Sequence, residues 1–298
     1  MAGCGVPKLR IVSLLPAATE TIYALGLGER LVGVSHACRV EGPPLPRLTK
    51  TAINPGASSG EIHADVETRL AAGEPLFTLD ADLLEELRPD LVVTQDQCEV
   101  CALPLSAVTE AARAAGRLDG AAITAVNPRS LDDVLGTVEQ IAAAAGELGR
   151  GEALVAEYRE RIARVEHRAE SVSQWRSPVA VIEWREPLIL SGNWCPELIW
   201  RAGGESVLVE PGQPSRPVAW EELIASRPEA VFVVPCGFDR QRAEAELGLL
   251  RAEPGWGDLP AAGTGRYWAL DGDRYFNSPG PGLVATLEHV GGLLGGDR

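Results

Sequence analysis

Short apolar runs alternate with helical patterns along most of this chain, and this alternation limits its possible folds more than any other feature. The strands predicted before residue 129 are Leu9–Leu14, Leu31–Val34, Leu91–Thr94 and Ala121–Val126. The helices predicted among them are Ala17–Leu25, Gly60–Ala72, the stretch from the cap Asp80 through Leu87, and Pro104–Ala115. Strands that alternate with helices pair in parallel through right-handed crossovers, so an α/β fold is expected.

The stretch from Ser130 to about Glu170 differs, because it lacks strand signals and carries apolar residues at helical spacing. It predicts two successive helices broken near Gly146–Gly151, the second with the charged face of a solvated connector. Strands resume at Ser177, where the predicted runs are Val179–Trp184, Leu188–Ser191, Ala230–Val234 and Tyr267–Leu270. Helices are predicted among them from Pro196, near Arg240–Leu250 and from Gly282. We therefore predict an α/β protein with two Rossmann-like lobes, each with a central, mainly parallel sheet, joined by a long connecting α-helix. The predicted segments are an N-terminal lobe at 1–128, a helical connector at 129–175 and a C-terminal lobe at 176–298.

A weak internal repeat links the two halves of the chain. LLEELRPDLVVTQ at 83–95 and WEELIASRPEAVFVV at 220–234 share a Glu-Glu-Leu helix, an Arg-Pro stop, an acidic residue and a buried strand. Two similar lobes are the simplest explanation of this similarity.

Charge and hydropathy exclude several kinds of partner. A formal net charge of -15, with no cluster of Lys and Arg, argues against binding to nucleic acid. No apolar run is long enough to cross a membrane, and the N-terminus has no secretory leader pattern. The sequence as written predicts a cytoplasmic monomer with reduced cysteines, or a periplasmic protein if a leader is missing.

The motifs of both halves resemble those of one known family. Together with the connector, they are RIVSLLPAATETIYALGLGERLVGVS at 10–35, LRPDLVVTQ at 87–95, GNWCPELIWRAGG at 192–204 and RPEAVFVVPCG at 227–237. They resemble the helix-linked substrate-binding proteins of ABC importers (class III), which take cobalamins, siderophores and haem. The chain looks most similar to the cobalamin-binding branch, in particular a leaderless subgroup with a segment like QCEVC at 97–101. The resemblance implies a non-enzymatic protein that binds cobalamin or a similar tetrapyrrole-like metal chelate in an interlobe cleft.

The resemblance also implies two residues that dock an ABC permease. An acidic residue on each lobe of these proteins meets basic residues of the permease, and the matching positions are Glu20 in PAATE and Glu197 in CPELI. Two carboxylates on the lobe tops would orient docking and steer association. The alternative is that both are first-turn acids that favour the helix dipole.

Soft metal ligands follow two of the predicted strands. His36 and Cys38 come after Val34, while Cys98 and Cys101 come after Thr94. If neighbouring strands bring both pairs to one rim, they form a four-ligand set of the kind that zinc prefers, and iron is a further candidate. A redox dithiol and ordinary buried cysteines are the alternatives.

The expected ligand residues also follow strands, because ligands of open α/β sheets sit beyond the carboxyl ends of the strands. Indole faces suit a large flat ligand, and the loop DGDRYFNSPGPG at 271–282 resembles the family's final cleft loop. The predicted ligand-binding residues are Pro16, His36, Gln95, Trp184, Trp194, Arg274, Tyr275 and Asn277. Core positions are predicted instead for Trp200, Trp220 and Trp268.

Enzyme signatures are sparse. The sequence contains no GxSxG, no GxxxxGK phosphate loop and no HExxH, and its early glycines end a helix instead of opening one. Two alternatives to a cytoplasmic binder stay open. One is a metal- or thiol-dependent enzyme centred on His36, Cys38, Cys98 and Cys101, and the other is a periplasmic importer component that lacks its leader.

Overall fold

The computed structural model describes residues 9–95, 108–109, 120–172 and 175–296. Its strands are mostly the apolar runs singled out above: β1 (Ile11–Ser13), β2 (Leu31–Val34), β3 (Thr49–Thr51), β4 (Phe77–Leu79), β5 (Leu91–Gln95), β6 (Ala122–Val126), β7 (Ser177–Trp184), β8 (Ile189–Leu190), β9 (Gly204–Ser206), β10 (Arg216–Pro217), β11 (Ala230–Val233) and β12 (Tyr267–Ala269). These strands form two larger sheets and the small antiparallel pair β3–β4.

The helices again follow the sequence patterns closely. They are α1 (Pro16–Ala24), α2 (Ser59–Ala72), α3 (Ala81–Leu87), α4 (Leu131–Ala144), α5 (Leu148–Val172), α6 (Cys195–Arg201), α7 (Trp220–Ala225), α8 (Arg240–Leu250), α9 (Pro260–Thr264), α10 (Gly272–Tyr275) and α11 (Gly282–Gly295). As predicted, Asp80 caps α3, because its side chain accepts a hydrogen bond from the Leu83 N–H. Most of the helix predicted for Pro104–Ala115 lies outside the described residues.

Contacts within the chain divide it into two units. The first unit comprises Met1–Asn54, Asp65–Pro128 and Leu135–Ala156, and the second comprises Pro55–Ala64, Arg129–Val134 and Glu157–Arg298. The chain finally passes from the first unit to the second inside α5, the long helix expected as the connector. The exact three-part division predicted from the sequence stays a prediction.

The first unit is built on a parallel four-stranded sheet in the order β2-β1-β5-β6. Ser13 at the end of β1 is in register with Val34 of β2 and Val93 of β5, so these strands end at the same edge. Apolar side chains from this sheet and from α3 fill a core that includes Val12, Leu48 and Leu84.

The second unit is built on a six-stranded sheet in the order β10-β8-β7-β11-β12, with β9 also paired to β7. β7 pairs in parallel with β9 and β11, and β11 in parallel with β12, whereas β8 and β10 run antiparallel. Two mainly parallel sheets confirm the predicted fold class.

The parallel part of the second sheet repeats the strand order of the first. The order β9-β7-β11-β12 corresponds to β2-β1-β5-β6. In both units, a short helix (α3 or α7) precedes a central strand (β5 or β11), and an Arg-Pro pair lies between the helix and the strand. Arg88 has φ 42° and Arg227 has φ 49°, so both adopt the left-handed conformation. The internal repeat in the sequence is therefore a repeat of structure.

Candidate functional site

The loops that follow β11 and β12 are tied together at the carboxyl edge of the second unit's sheet. The Asn277 side chain donates a hydrogen bond to the Val234 carbonyl (2.9 Å), and the Gly237 N–H donates to Asp273 Oδ1 (2.8 Å). Gly272 fits between them without a side chain, because a Cβ there would lie 2.3 Å from the Pro235 carbonyl oxygen. Asn277, predicted to bind ligand, thus helps to fix the loop in this structure.

An aromatic and basic cluster lies beyond β7 and β11. The Trp184 ring meets Phe238 edge-on with centroids 5.4 Å apart, and the Arg242 guanidinium carbon lies 3.4 Å from the Phe238 ring centroid. We call these three residues the Trp184 cluster. Cation-π contact and edge-to-face packing hold its rings in fixed orientations, as a preformed contact surface requires.

A segment contributed by residues 55–64 packs against the Trp184 cluster within the second unit. The Trp184 indole N–H donates to the Ser59 carbonyl (3.2 Å) and to the Glu186 carbonyl (3.1 Å). Arg242 donates to the carbonyls of Pro55 and Ala57. The indole N–H and the guanidinium are therefore engaged in this structure.

A buried ion pair supports the same region. Glu246 is only 6% exposed and accepts hydrogen bonds from the Arg185 guanidinium and the Ser59 hydroxyl. A buried carboxylate is costly without such partners, so these donors compensate for its lost hydration. The pair anchors α8 to the end of β7.

The remaining predicted ligand residues of this unit have different surroundings. Tyr275 stacks on His289 with centroids 5.3 Å apart, and the exposed Arg274 lies 5.5 Å from the Tyr275 ring centroid. Burial lowers the pKa of His289. Trp194 is buried, and its indole N–H donates to the Phe276 carbonyl (2.8 Å). Trp194 therefore supports the final loop from beneath.

In the first unit, hydroxyl groups surround Cys38 at the end of β1. The Thr19 hydroxyl oxygen lies 3.0 Å from the Cys38 sulfur and 2.8 Å from Ser13 Oγ, and Ser35 Oγ lies 3.2 Å from the same sulfur. All four side chains are buried. Pro16 begins α1 directly beside this network, where its fixed φ suits the first turn.

His36 is held beside this network by the β3–β4 pair. Thr49 Oγ1 lies 2.7 Å from His36 Nδ1 and accepts a hydrogen bond from the His36 N–H (2.9 Å). The ring stacks on Phe77 with centroids 5.6 Å apart. Although the residue is exposed, partial desolvation and then the nearby Arg47 charge lower the pKa of His36. A neutral imidazole follows, which suits a metal ligand or a hydrogen-bond donor.

The observed strand order differs from the one on which the predicted metal cluster was based. The pairs His36/Cys38 and Cys98/Cys101 were expected after neighbouring strands, but β1 lies between β2 and β5. Cys98 and Cys101 lie outside the described residues, and Gln95 is buried at the end of β5. Within the described residues, no group of three or more His, Cys, Asp or Glu side chains has the arrangement of a metal site.

The other described cysteines are in the second unit. Burial raises the pKa of Cys195 to about 12, although the Ser191 hydroxyl hydrogen bond opposes that increase. Cys195 is therefore a protonated, unreactive thiol near neutral pH. Cys236, after β11, is exposed.

The two residues predicted to dock a permease have different surroundings. Glu20 is a partly exposed residue of α1. Glu197 accepts from Arg201 (2.7 Å) and from the Leu131 N–H (2.9 Å), so its carboxylate holds the start of α4. Arg201 also donates to Glu166 (2.7 Å). Desolvation lowers the pKa of Arg201, but its bonds and proximity to Glu197 and Glu166 dominate and raise it.

With this geometry established, comparison with known proteins identifies the family. Residues 11–273 match the family described as periplasmic binding protein. The chain belongs to this family. Members of the periplasmic binding protein family are substrate-binding proteins and not enzymes, which confirms the prediction of a ligand-binding protein. The family description gives no support to the cytoplasmic expectation.

Several members of the family resemble this chain over nearly its whole length. The vitamin B12-binding protein of Vibrio vulnificus (strain CMCP6) is 24% identical over 286 residues, covering 95% of this chain and 89% of the relative. An uncharacterized ABC transporter substrate-binding lipoprotein of Bacillus subtilis (strain 168) is 23% identical, covering 95% and 79%. The structure of a periplasmic heme-binding protein from Roseiflexus sp. RS-1 in apo form matches with a TM-score of 0.69 and 27% identity, covering 97% and 98%.

Sequence reasoning missed several residues that shape the binding protein's candidate site. Phe238, Arg242 and Glu246 lie on or before a helix that was predicted correctly, but no pattern indicated that Phe238 packs against Trp184 or that Glu246 bonds to Arg185. The fact that Phe238 follows the predicted strand Ala230–Val234 was an available signal. The contribution of Ser59 was not foreseeable, because it comes from more than a hundred residues away in sequence.

Among the helices that the structure describes, none combines the length and the apolar character needed to cross a membrane.

Proposed function

We propose that this periplasmic binding protein binds a tetrapyrrole-type metal chelate, with cobalamin as the first candidate. The observation that carries the proposal is the alignment of the vitamin B12-binding protein over 95% of the chain. The resemblance to a heme-binding protein structure supports the same ligand class. A siderophore complex is the remaining alternative within the family.

The chemistry of the carboxyl strand edges supports this proposal. Trp184 offers apolar ring surface that suits a flat macrocycle, and the buried Phe238 packs edge-on against it. Arg274 and Tyr275 offer polar groups for the rim of such a ligand, while His36 offers a neutral imidazole. The proposed ligand-binding residues are Pro16, His36, Gln95, Trp184, Arg274 and Tyr275. We assign Trp194 and Asn277 the role of holding the final loop.

The proposal is tested by titrating the purified protein with cyanocobalamin, hemin and a ferric catecholate, using calorimetry and absorption spectra. We expect cyanocobalamin to bind at one site per chain. Trp184→Ala is expected to weaken binding about tenfold or more, as the loss of a central aromatic contact does.

Trp220→Ala is the matched control. Trp220 stacks on Trp256 in the second unit's core, so its loss is expected to lower stability while affinity changes little. If no corrinoid, heme or catecholate complex produces heat or a spectral change, the proposal is wrong.

The predicted cysteine site is tested separately by metal analysis. If His36, Cys38, Cys98 and Cys101 bind zinc or iron, protein purified under reducing conditions is expected to contain one metal ion per chain. Thiolate ligands must be deprotonated, so the metal is expected to dissociate on acidification. Cys98→Ser is expected to remove it. A native protein without metal, whose stability the substitution leaves unchanged, would refute this site.

We further propose that the protein delivers its ligand to an ABC permease, as the Bacillus subtilis relative's description suggests. Glu20 and Glu197 are the proposed docking residues. A permease and an ATPase encoded beside this chain would support the proposal, and this context would also favour a periplasmic location.

A further inference from the structure

The turn after β2, residues 35–38, places an imidazole at the carboxyl edge of the first unit's sheet. Val34 ends β2 and is in register with Ser13, the last residue of β1. His36 follows Val34 by two residues and is exposed. Ligands of open α/β sheets lie beyond the carboxyl ends of the strands, so His36 lies on the side of the sheet where a ligand is expected.

Hydrogen bonds hold the backbone of this turn at several points. The Ser35 N–H donates to the Ser13 carbonyl (2.9 Å), and the Cys38 N–H donates to the Ser35 carbonyl (3.3 Å). The Arg47 guanidinium donates to the carbonyls of Ser35 (2.7 Å) and Cys38 (2.5 Å). The conformation of the turn is therefore fixed by the chain itself, which reduces the entropy that a ligand contact would cost.

Of the two soft metal ligands in the turn, His36 is exposed and Cys38 is not. Cys38 is only 3% exposed, and its sulfur lies 3.0 Å from the Thr19 hydroxyl oxygen and 3.2 Å from Ser35 Oγ. The His36 ring stacks on Phe77 with centroids 5.6 Å apart and an angle of 28° between the ring planes. The turn therefore presents an oriented imidazole and keeps its thiol buried.

Thr49 determines which nitrogen of this imidazole is available. Its Oγ1 accepts a hydrogen bond from the His36 N–H (2.9 Å) and lies 2.7 Å from His36 Nδ1. A hydroxyl oxygen has two lone pairs, so it can accept from Nδ1–H as well as from the main-chain N–H. Among the residues that the structure describes, none forms a hydrogen bond with Nε2. A proton on Nδ1 leaves the Nε2 lone pair for a metal ion, and metal-binding histidines commonly donate their other N–H in this way.

We propose that His36 Nε2 binds the metal ion of the chelate at an axial position. The inference rests on the tetrapyrrole-type ligand proposed above and specifies its form: the metal ion must hold an exchangeable axial ligand, as the cobalt of aquocobalamin holds water. In the exchange, the cobalt–oxygen bond breaks and water leaves, while the Nε2 lone pair forms a cobalt–nitrogen bond. The oxidation state of the cobalt does not change, and the Nδ1 proton stays in its hydrogen bond to Thr49.

The test compares aquocobalamin with cyanocobalamin, using calorimetry and absorption spectra of the full chain after a chelator has removed other metal ions. Bound aquocobalamin is expected to show the spectral shift that free imidazole causes in solution. Cyanocobalamin is the reference, because its cobalt already holds cyanide and no such shift is expected. His36→Ala is expected to abolish the shift and to weaken aquocobalamin binding about tenfold or more, since a metal bond is lost. His167→Ala removes an exposed histidine of α5 and is the matched control, expected to behave as the native chain does.

Two further variants test Thr49 as a positioning residue. Thr49→Val keeps a side chain of similar shape but removes the oxygen that holds Nδ1, and it is expected to weaken aquocobalamin binding about tenfold and to reduce the shift. Thr49→Ser keeps the hydroxyl and is expected to retain the native shift and affinity. Far-UV circular dichroism checks that both variants fold. Equal shifts and affinities in the two variants would mean that Thr49 does not position the imidazole.

The outcomes separate this inference from the proposed function. If neither cobalamin binds, the proposed cobalamin ligand and the axial bond fail together. If aquocobalamin binds without the shift, or if the shift persists in His36→Ala, the chain binds a cobalamin but His36 does not bind its cobalt. The inference alone is then overturned, and the proposed function stands.

Discussion

At the scale of single residues, many side chains at the strand ends hold backbone in place. Asn277 is bonded to the Val234 carbonyl, and Glu197 to the Leu131 N–H. Thr49 fixes both the backbone and the ring of His36. Side chains that we propose for ligand contact, such as Arg274 in α10, therefore lie on backbone whose geometry is already determined. Such preorganisation reduces the entropy lost on binding.

Gly272 is the residue on which the final loop depends most directly. We expect Gly272→Ala to lower the free energy of unfolding by about 2 kcal/mol, because the new Cβ would overlap the Pro235 carbonyl. Gly248→Ala is the matched control in α8, where a Cβ meets nothing within 4 Å. It is expected to stabilise the protein by about 1 kcal/mol through better helix propensity. Urea unfolding measures both changes, and equal effects of the two substitutions would contradict the geometry at Gly272.

At the scale of elements, the repeated helix–Arg–Pro–strand unit offers a second stability prediction. Arg227 is exposed and left-handed, a conformation that costs a non-glycine residue about 1 kcal/mol or more. We expect Arg227→Gly to raise the free energy of unfolding by up to about 1 kcal/mol, and Arg88→Gly to do the same in the first unit.

Arg159→Gly inside α5 serves as the control for both substitutions. It places glycine in a helical conformation and is expected to cost about 1 kcal/mol. Chemical denaturation of the three variants checks the sign of each change. If Arg227→Gly lowers the free energy of unfolding instead, the Arg227 side chain stabilises the protein by more than its left-handed backbone destabilises it.

Elements with strong local signals were predictable from sequence, and elements defined by distant pairing were not. The boundaries of β2 and α8 agree with prediction because buried β-branched runs and clear caps mark them. The pair β3–β4, and the short strands β9 and β10, were not predicted. Each has at most three residues and is defined by its partner strand, which no local pattern reveals.

The sequence predicted which loops form the candidate site but not which side chains in them are buried and which are exposed. The loops after strands were located correctly, because the carboxyl edge of a parallel sheet follows from the strand pattern. Trp194 was expected to face ligand, yet it is buried against the Phe276 carbonyl. Trp200 was expected in the core but is 49% exposed, with the Arg176 guanidinium carbon 3.7 Å from its ring centroid. Indole rings have both apolar and polar parts, so composition alone does not decide their burial.

At the scale of the whole molecule, tryptophan fluorescence reports on only one of the two units. All seven tryptophans lie at or after residue 175, and thus in the second unit. The first unit has its own buried core, which includes Leu48. We expect Leu48→Ala to destabilise the first unit by about 3 kcal/mol. Far-UV circular dichroism is then expected to show an earlier unfolding step that tryptophan fluorescence does not detect.

The control for Leu48→Ala is the native chain, unfolded in urea and followed by the same circular dichroism and tryptophan fluorescence measurements. Coincident curves for the variant, shifted together, would mean that the two units unfold as one cooperative system. Separate curves would assign an unfolding free energy to each unit.

The division of the chain also limits where a protein fragment or a chimera with a relative can begin and end. The second unit is assembled from Pro55–Ala64, Arg129–Val134 and Glu157–Arg298, and three of the five junctions between the units fall inside the helices α2, α4 and α5. A fragment starting at Glu157 would lack two of these three stretches, including Ser59, which bonds to Trp184 and Glu246. Neither unit can therefore be produced as one continuous segment of the chain. Recombination between relatives would preserve both units only by exchanging all the interleaved stretches together.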